Sequence, residues 1–242
     1  MSQSKSRSKR HSAPAARPLM PGMAVPARTG KNKSAPALVV PRSGMTIYTY
    51  EDDLASHWVR IVAAEKDIDG LHVEFLKPGV SVEDLLVLDP SHTVPTLADR
   101  EVVLNSPRII VEYLDERYPH PPMMPVEPSA RARLRLALFR IEEDLFPLVR
   151  TIKSGPATAA QRARKQLYES LVAGASLFAA RNYFLSGDYS CVDSLWAALL
   201  WRLHALGVDL GVGGKPIQRY AERVFNRQAF ARSLTPLERA LR

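Results

Sequence analysis

Residues 94–104 read VPTLADREVVL, and this stretch decides the fold of the first half of the chain. Two short β-branched and apolar runs flank a turn at Asp99–Arg100, which is the pattern of a hairpin. Val94-Pro95-Thr96 stands just ahead of the first run. Proline has no N–H to give a strand ladder, so it belongs at the start of a strand or on an edge.

Working outward, Thr46 to Tyr50 (TIYTY) is β-branched and aromatic and reads as a short strand. Val59, Val62 and Ala63 in SHWVRIVAAEK recur at helical spacing. Leu71, Val73 and Phe75 alternate with His72 and Glu74, as in a half-buried strand. SVEDLLVLD then reads as a short helix, with Ser81 as N-cap and Asp84 three residues on. After the hairpin, Ser106 caps a helix that begins at Pro107 and buries Ile109, Ile110, Tyr113 and Leu114. The order is βαβαββα over residues 45–122. A strand-helix-strand crossover calls for parallel pairing and the close strand pair for a hairpin, which together give a thioredoxin-like sheet. In that fold Val94–Pro95 is the cis bond that opens a strand, and the Val94 backbone is free to pair with a peptide-like ligand. A cis X-Pro bond lies only about 0.5–1 kcal/mol above trans. The competing reading is a trans proline on an edge strand.

Residues 129–242 follow a PHPPMMPVEP linker and read as an all-helical domain. Leu134, Leu138, Ile141, Leu145 and Leu148 form a seam of alternating four and three spacing, for a dimer or for the domain's own core. Pro147 should bend that helix. A second helix carries Leu167, Leu171, Ala175 and Phe178, and a third, from Val192 to Leu203, is apolar on two faces. A fourth carries Ile217, Tyr220, Val224 and Phe225, and Thr235-Pro236-Leu237-Glu238 opens a last one with a capping box. Ser190 and Asp193 make a second such box, so Asp193 reads as a structural acid and not a catalytic one. FLSGDYSCVD, which contains it, strongly resembles the capping box of the glutathione S-transferase helical domain.

The net charge of +8 belongs to one end of the chain. Residues 1–44 hold nine Lys or Arg and no acid, leaving 24 basic against 25 acidic residues beyond them. That Ser/Pro-rich start cannot bury enough apolar surface to offset its ordering entropy and reads as disordered. It could touch nucleic acid nonspecifically through phosphates, or be simply solvated. No apolar run approaches the roughly 20 residues of a membrane span. Cys191 is the lone cysteine, which excludes a disulfide within one chain and fits a reducing compartment, so the cytoplasm is the expected location. His57, His72, His92, His120 and His204 have no metal-ligand spacing, and neither a metal nor a cofactor is expected.

The sheet module, the VPT segment and the SCVD box together resemble a glutathione S-transferase. More closely, SHWVRIVAAEK, VPTLADRE, RIIVEYLDERYPHPPMMPV and LLWRLHALG resemble the bacterial stringent starvation protein A family over residues 45–242. The resemblance implies a glutathione-S-transferase fold without transferase chemistry. It implies an RNA-polymerase-associated regulator of transcription in starvation and stress, acting as a homodimer or paired with a paralogue. It further implies that a Pro-His-Pro surface faces the polymerase holoenzyme and its principal sigma factor. That role carries over to Pro119, His120, Pro121 and Pro122, and to Arg100 at the hairpin turn. The family's aromatic residue at the edge of this patch falls on Glu127, a departure. Three prolines in four residues lose little entropy on binding, though a rigid linker would use the same residues.

A transferase needs a Tyr, Ser or Cys near the start of the first helix to activate the thiol. That position falls near Asp53 or Leu54 here, and neither can supply a hydroxyl or thiol. Ser56, Tyr48 and Tyr50 read as cap or strand residues. The carboxylate-Ser pair that grips the γ-glutamyl end is replaced by Ser106-Pro107. The competing function is therefore a glutathione-dependent transferase or isomerase with an atypical activating residue.

Overall fold

The computed structural model describes residues 44–79, 85, 93–100 and 102–242. The basic segment, Ser81, Asp84, His92 and Glu101 lie outside the described residues. So does the helix read over SVEDLLVLD, apart from Leu85, which is helical and buried. The described residues belong to one compact unit.

Four strands, β1 (Met45–Tyr50), β2 (Leu71–Leu76), β3 (Thr96–Asp99) and β4 (Val102–Leu104), make one sheet in the order β2-β1-β3-β4. β1 runs parallel to β2 and antiparallel to β3, and β4 closes the hairpin with β3. β1 is covered on both faces, as a central strand should be. Met45 and Ile47 join the main core, whereas Tyr48 joins a smaller cluster with Leu76, Leu85 and Ala98. This is the period-2 alternation of a strand expressed as two cores.

The helices are α1 (Leu54–Lys66), α2 (Pro107–Arg117), α3 (Pro128–Arg140), α4 (Phe146–Ser154), α5 (Ala157–Ala173), α6 (Ala175–Ala179), α7 (Cys191–Trp201), α8 (Lys215–Phe225), α9 (Gln228–Ser233) and α10 (Pro236–Arg239). A π segment, Ile141–Leu145, joins α3 to α4. Pro147 stands in the first turn of α4, so the bend read from it becomes a change of register just upstream. Proline cannot donate to the carbonyl four residues back, and the wider π turn brings the chain into a position where that donor is not required. Leu134, Leu138, Ile141 and Leu145 lie in the core, with Leu148 packed half-buried against it. The helix read through Phe178 breaks at Gly174, and α7 ends before Leu203. Ser106 stands at the N-cap of α2 but makes no side-chain cap bond, which corrects the cap expected there.

α1 packs against α2, α7 and α9, and its polar side chains fasten the sheet to the helices. Trp58 Nε1 donates to the Cys191 carbonyl and to Ser194 Oγ at the start of α7, both at 3.1 Å. Arg60 uses every N–H of its guanidinium: Nε to Ser233 O, Nη1 to Thr49 Oγ1 and Tyr50 O, and Nη2 to both oxygens of Glu238 at 2.7 Å. Glu238 is fully buried in α10 and also accepts from Arg202 Nη2 and from the Thr235 amide. Arg202 Nη1 lies 2.7 Å from His57 Nδ1. A guanidinium can only donate, so that ring nitrogen carries no proton, and His57 Nε2 donates to Ser233 Oγ at 3.1 Å. The 3.5 Å approach of Glu238 to His57 Nδ1 is therefore not an ion pair. Burial first, then Arg202 and Arg60, hold the His57 pKa well below its ordinary value.

Two outcomes follow from this cluster. Replacing Glu238 by Gln leaves two buried guanidinium groups without their counter-charge and should cost about 3 kcal/mol or more in urea unfolding. The neutral state of His57 sets a pH dependence. The unfolded chain takes up a proton near 6.5, and the folded chain does not. His57 therefore contributes no slope above that pH, and stability falls below it by up to about 1.4 kcal/mol per pH unit. The variant His57→Gln should lack this component in unfolding titrations between pH 6.5 and pH 5.

Candidate functional site: a clamped proline loop

The C-terminal end of α2 delivers the chain into the loop of Pro119, His120, Pro121 and Pro122, and all four residues are exposed. The loop is held from beneath. Lys66, the last residue of α1, has a side chain with no exposed surface, and its ammonium has three hydrogens to place. It donates to Asp115 Oδ1 at 2.5 Å, to the Tyr118 carbonyl at 2.8 Å and to the Pro121 carbonyl at 2.6 Å. Asp115 Oδ1 in turn accepts the Met123 amide at 2.8 Å. The Met123 carbonyl accepts the first amide of α7, from Cys191, at 2.9 Å. The chain from Tyr118 to Met123 is thus pinned at both ends and in the middle, with the Tyr118, Pro121 and Met123 carbonyls bonded inward and residues 119–122 exposed. Met123 and Met124 are buried, so what read as a linker is anchored into the core. The His120–Pro121 bond is cis, and so is Val94–Pro95.

Arg100 is the exposed first residue of the hairpin turn, at φ 46°. The left-handed region suits the two-residue connection but strains a side-chain-bearing residue by about 1 kcal/mol or more. The preceding residue, Asp99, is buried; it accepts from Tyr113 Oη at 2.7 Å and lies 3.5 Å from Arg117 Nε. Burial and then the bond to Asp99 push the Tyr113 pKa up to about 12, so the phenol remains a donor. Arg117 is in the last turn of α2, so this ion pair ties the turn that carries Arg100 to the root of the proline loop.

Glu127 turns inward on its own chain as the N-cap of α3, accepting from the Ser129 hydroxyl at 2.6 Å and from the Ser129 and Ala130 amides. Those bonds pull its pKa down to about 2. Its carboxylate is thereby committed to the helix end. Ser190 and Asp193 stand at the start of α7, as its N-cap and in its first turn. The buried Asp193 carboxylate accepts from the Ser190 amide and hydroxyl, the Phe184 amide and the Tyr220 phenol. Burial pushes its pKa up while those four donors pull against it. Cys191 beside it is fully buried, and burial raises its pKa well above the usual thiol value. A thiol so placed is not a nucleophile.

The region where a transferase would hold its thiol is also defined. Asp53 N-caps α1 by accepting the Ser56 amide at 2.8 Å, and the Ser56 hydroxyl accepts the Tyr50 amide at 3.2 Å. The cavity of about 490 Å³ beside them is lined by Asp53, Leu54, Val94 and Pro107 and by side chains of α4. Ser154 is the one hydroxyl among its described lining residues. No group of His, Cys, Asp and Glu among the described residues could hold a metal ion. No described helix is long and apolar enough to cross a membrane.

Sequence reasoning missed both the Lys66 clamp and the Arg60–Glu238–Arg202 cluster. The signal for the first was present: Lys66 continues the stripe of Val59, Val62 and Ala63 that faces the core. For the second, Glu238 was visible only as a capping residue.

Two family models match: "Glutathione S-transferase, N-terminal domain" over residues 52–122 and "Glutathione S-transferase, C-terminal domain" over residues 136–228. A stringent starvation protein A homolog of Haemophilus ducreyi is 46% identical over 195 residues, 80% of this chain and 91% of its own. Another, of Coxiella burnetii, is 41% identical over 207 residues, 84% of this chain and 98% of its own. Among solved structures, glutathione transferase Omega 3C of Trametes versicolor superposes with a TM-score of 0.71 at 19% identity, covering 81% of this chain and 87% of that one. At that identity the likeness speaks for the fold alone. The fold is that of the glutathione S-transferases, and the chain belongs to the stringent starvation protein A family.

Proposed function

We propose that this protein is an RNA-polymerase-associated transcription regulator of starvation and stress. It acts by protein–protein contact through Pro119, His120, Pro121 and Pro122, with Arg100 on the flank. The reading joins the partner implied by the family resemblance, the polymerase holoenzyme with its principal sigma factor, to one observation. That observation is an exposed proline loop whose backbone is fixed by a buried lysine. A surface ordered before contact loses little entropy when a partner covers it. Arg100 supports the same reading, since a glycine or asparagine would adopt its backbone more easily.

The protein works in the cytoplasm as a homodimer or paired with a paralogue, with residues 1–44 as a basic tail, 45–122 as the sheet domain and 129–242 as the helical domain. Exposed Ile109 on α2 and Leu136 and Phe139 on α3 supply apolar surface for such a pairing, while the Leu134–Leu145 seam is spent on the core. Glutathione conjugation is lost. A thiolate near the start of α1 would meet no hydroxyl or thiol among the described lining residues other than Ser154.

Changing Pro119, His120 and Pro122 to Ala should leave the melting temperature nearly unchanged and weaken capture of purified polymerase holoenzyme at least tenfold. Equal capture by a folded variant would remove the loop from the contact. The change Lys66→Met should cost about 3 kcal/mol, because it leaves Asp115 buried without its counter-charge. It should also speed hydrogen exchange at the Met123 amide, while unchanged exchange there would show that the loop does not depend on the clamp.

A further inference from the structure

A cavity of about 730 Å³ lies between the end of α7, the turn at 203–210 and α8, and it shares no residue with the proline loop. Leu200, Leu203, Val208 and Ile217 give it apolar walls. Trp201 and Phe225 meet at one corner of it, with ring planes at 85° and centroids 5.0 Å apart. That corner accepts a cation, because one is already there. The guanidinium carbon of Arg242 lies 5.2 Å from the Trp201 ring centroid and 4.9 Å from that of Phe225.

Two carboxylates line the same cavity with bonding capacity left over. Glu222 is exposed, and its carboxylate has no hydrogen-bond or ion-pair partner among the described residues. Asp209 gives its Oδ1 to the Gly211 amide at 2.9 Å, and its Oδ2 has no partner among them either. Arg242 makes no ion pair with either acid and is itself exposed. The contact of an exposed cation with an aromatic face is worth only a factor of about two to five, so a competing cation can displace it. A planar guanidinium also stacks on a ring better than a compact, strongly hydrated ammonium does.

We propose that this cavity binds a small aliphatic guanidinium compound that carries a second positive centre. The guanidinium takes the corner of Trp201 and Phe225 in exchange with Arg242. The aliphatic stem lies on the apolar walls, and the carboxylates of Glu222 and Asp209 hold the second centre. An arginine side chain of a polypeptide brings the same guanidinium without that second charge, and a diamine brings two charges without the planar group.

Ligand-observed NMR titration of the full chain with agmatine, at physiological ionic strength, tests this. Saturable binding is expected, with putrescine and N-acetyl-arginine amide each at least threefold weaker. Glu222→Gln should weaken agmatine at least fivefold with an unchanged melting temperature. Arg242→Ala removes the internal competitor and should tighten it about two- to fivefold. Glu143→Gln, at an exposed acid outside the cavity, should leave it as it was. The proposal is overturned by the absence of a saturable agmatine signal or by equal binding of either comparison compound. Indifference to Glu222→Gln, or binding that Arg242→Ala leaves unchanged or weakens, would overturn it as well. Polymerase capture is read at the proline loop, and its failure leaves this titration intact.

Discussion

The contact of Glu238 with Arg60 and Arg202 is the constraint on which the rest of the structure depends. Three formal charges, two positive and one negative, sit where water does not reach, and ions in such a place are tolerated when nearly all their hydrogen bonds are made; here the Arg202 Nε–H alone of the three groups is left over among the described residues. Completing them requires β1, α1, α7, α9 and α10 to be in place together, because Thr49, Tyr50, Arg60, Arg202, Ser233 and Glu238 come from those elements or their immediate ends. The sheet and the helices therefore share one polar lock. An apolar interface of the same area could slide by a turn of helix, but this one has a single register.

Much of this architecture is legible in the chain, and the illegible parts have physical causes. The hairpin at 94–104 and the stripe of α1 are readable because local pattern and tertiary role coincide there. The π segment was not readable, since Ile141 to Leu145 carries a normal helical pattern and the disturbance comes from Pro147 downstream. The missing Ser106 cap bond is similar: the residue type permits the bond, but the packing does not use it. The Lys66 clamp depends on carbonyl oxygens, which every residue possesses, so no side-chain pattern in the loop announces it. The pairing of Arg60 with Glu238 spans most of the chain, and single-sequence reading has no means of matching charges at that distance.

The fold is that of the glutathione S-transferases, and the residues around the start of α1 are occupied with structural bonds of their own. Asp53 is turned to helix capping. Pro107 opens α2 and brings no amide donor. Cys191, the one cysteine of the chain, is packed in the core. One scaffold can carry different sites, so the fold by itself does not name the chemistry.

The Lys66 clamp separates two kinds of information. An ammonium that grips carbonyl oxygens reads the path of the main chain and is blind to the side chains it carries. The shape of the proline loop is thus written in α1 and α2, outside the loop, while its outward chemistry is written in four residues that have few inward duties. Descendants of this sequence could exchange those four side chains and keep much of the same trace. An exposed surface built in this way can change its chemistry without first learning to fold again.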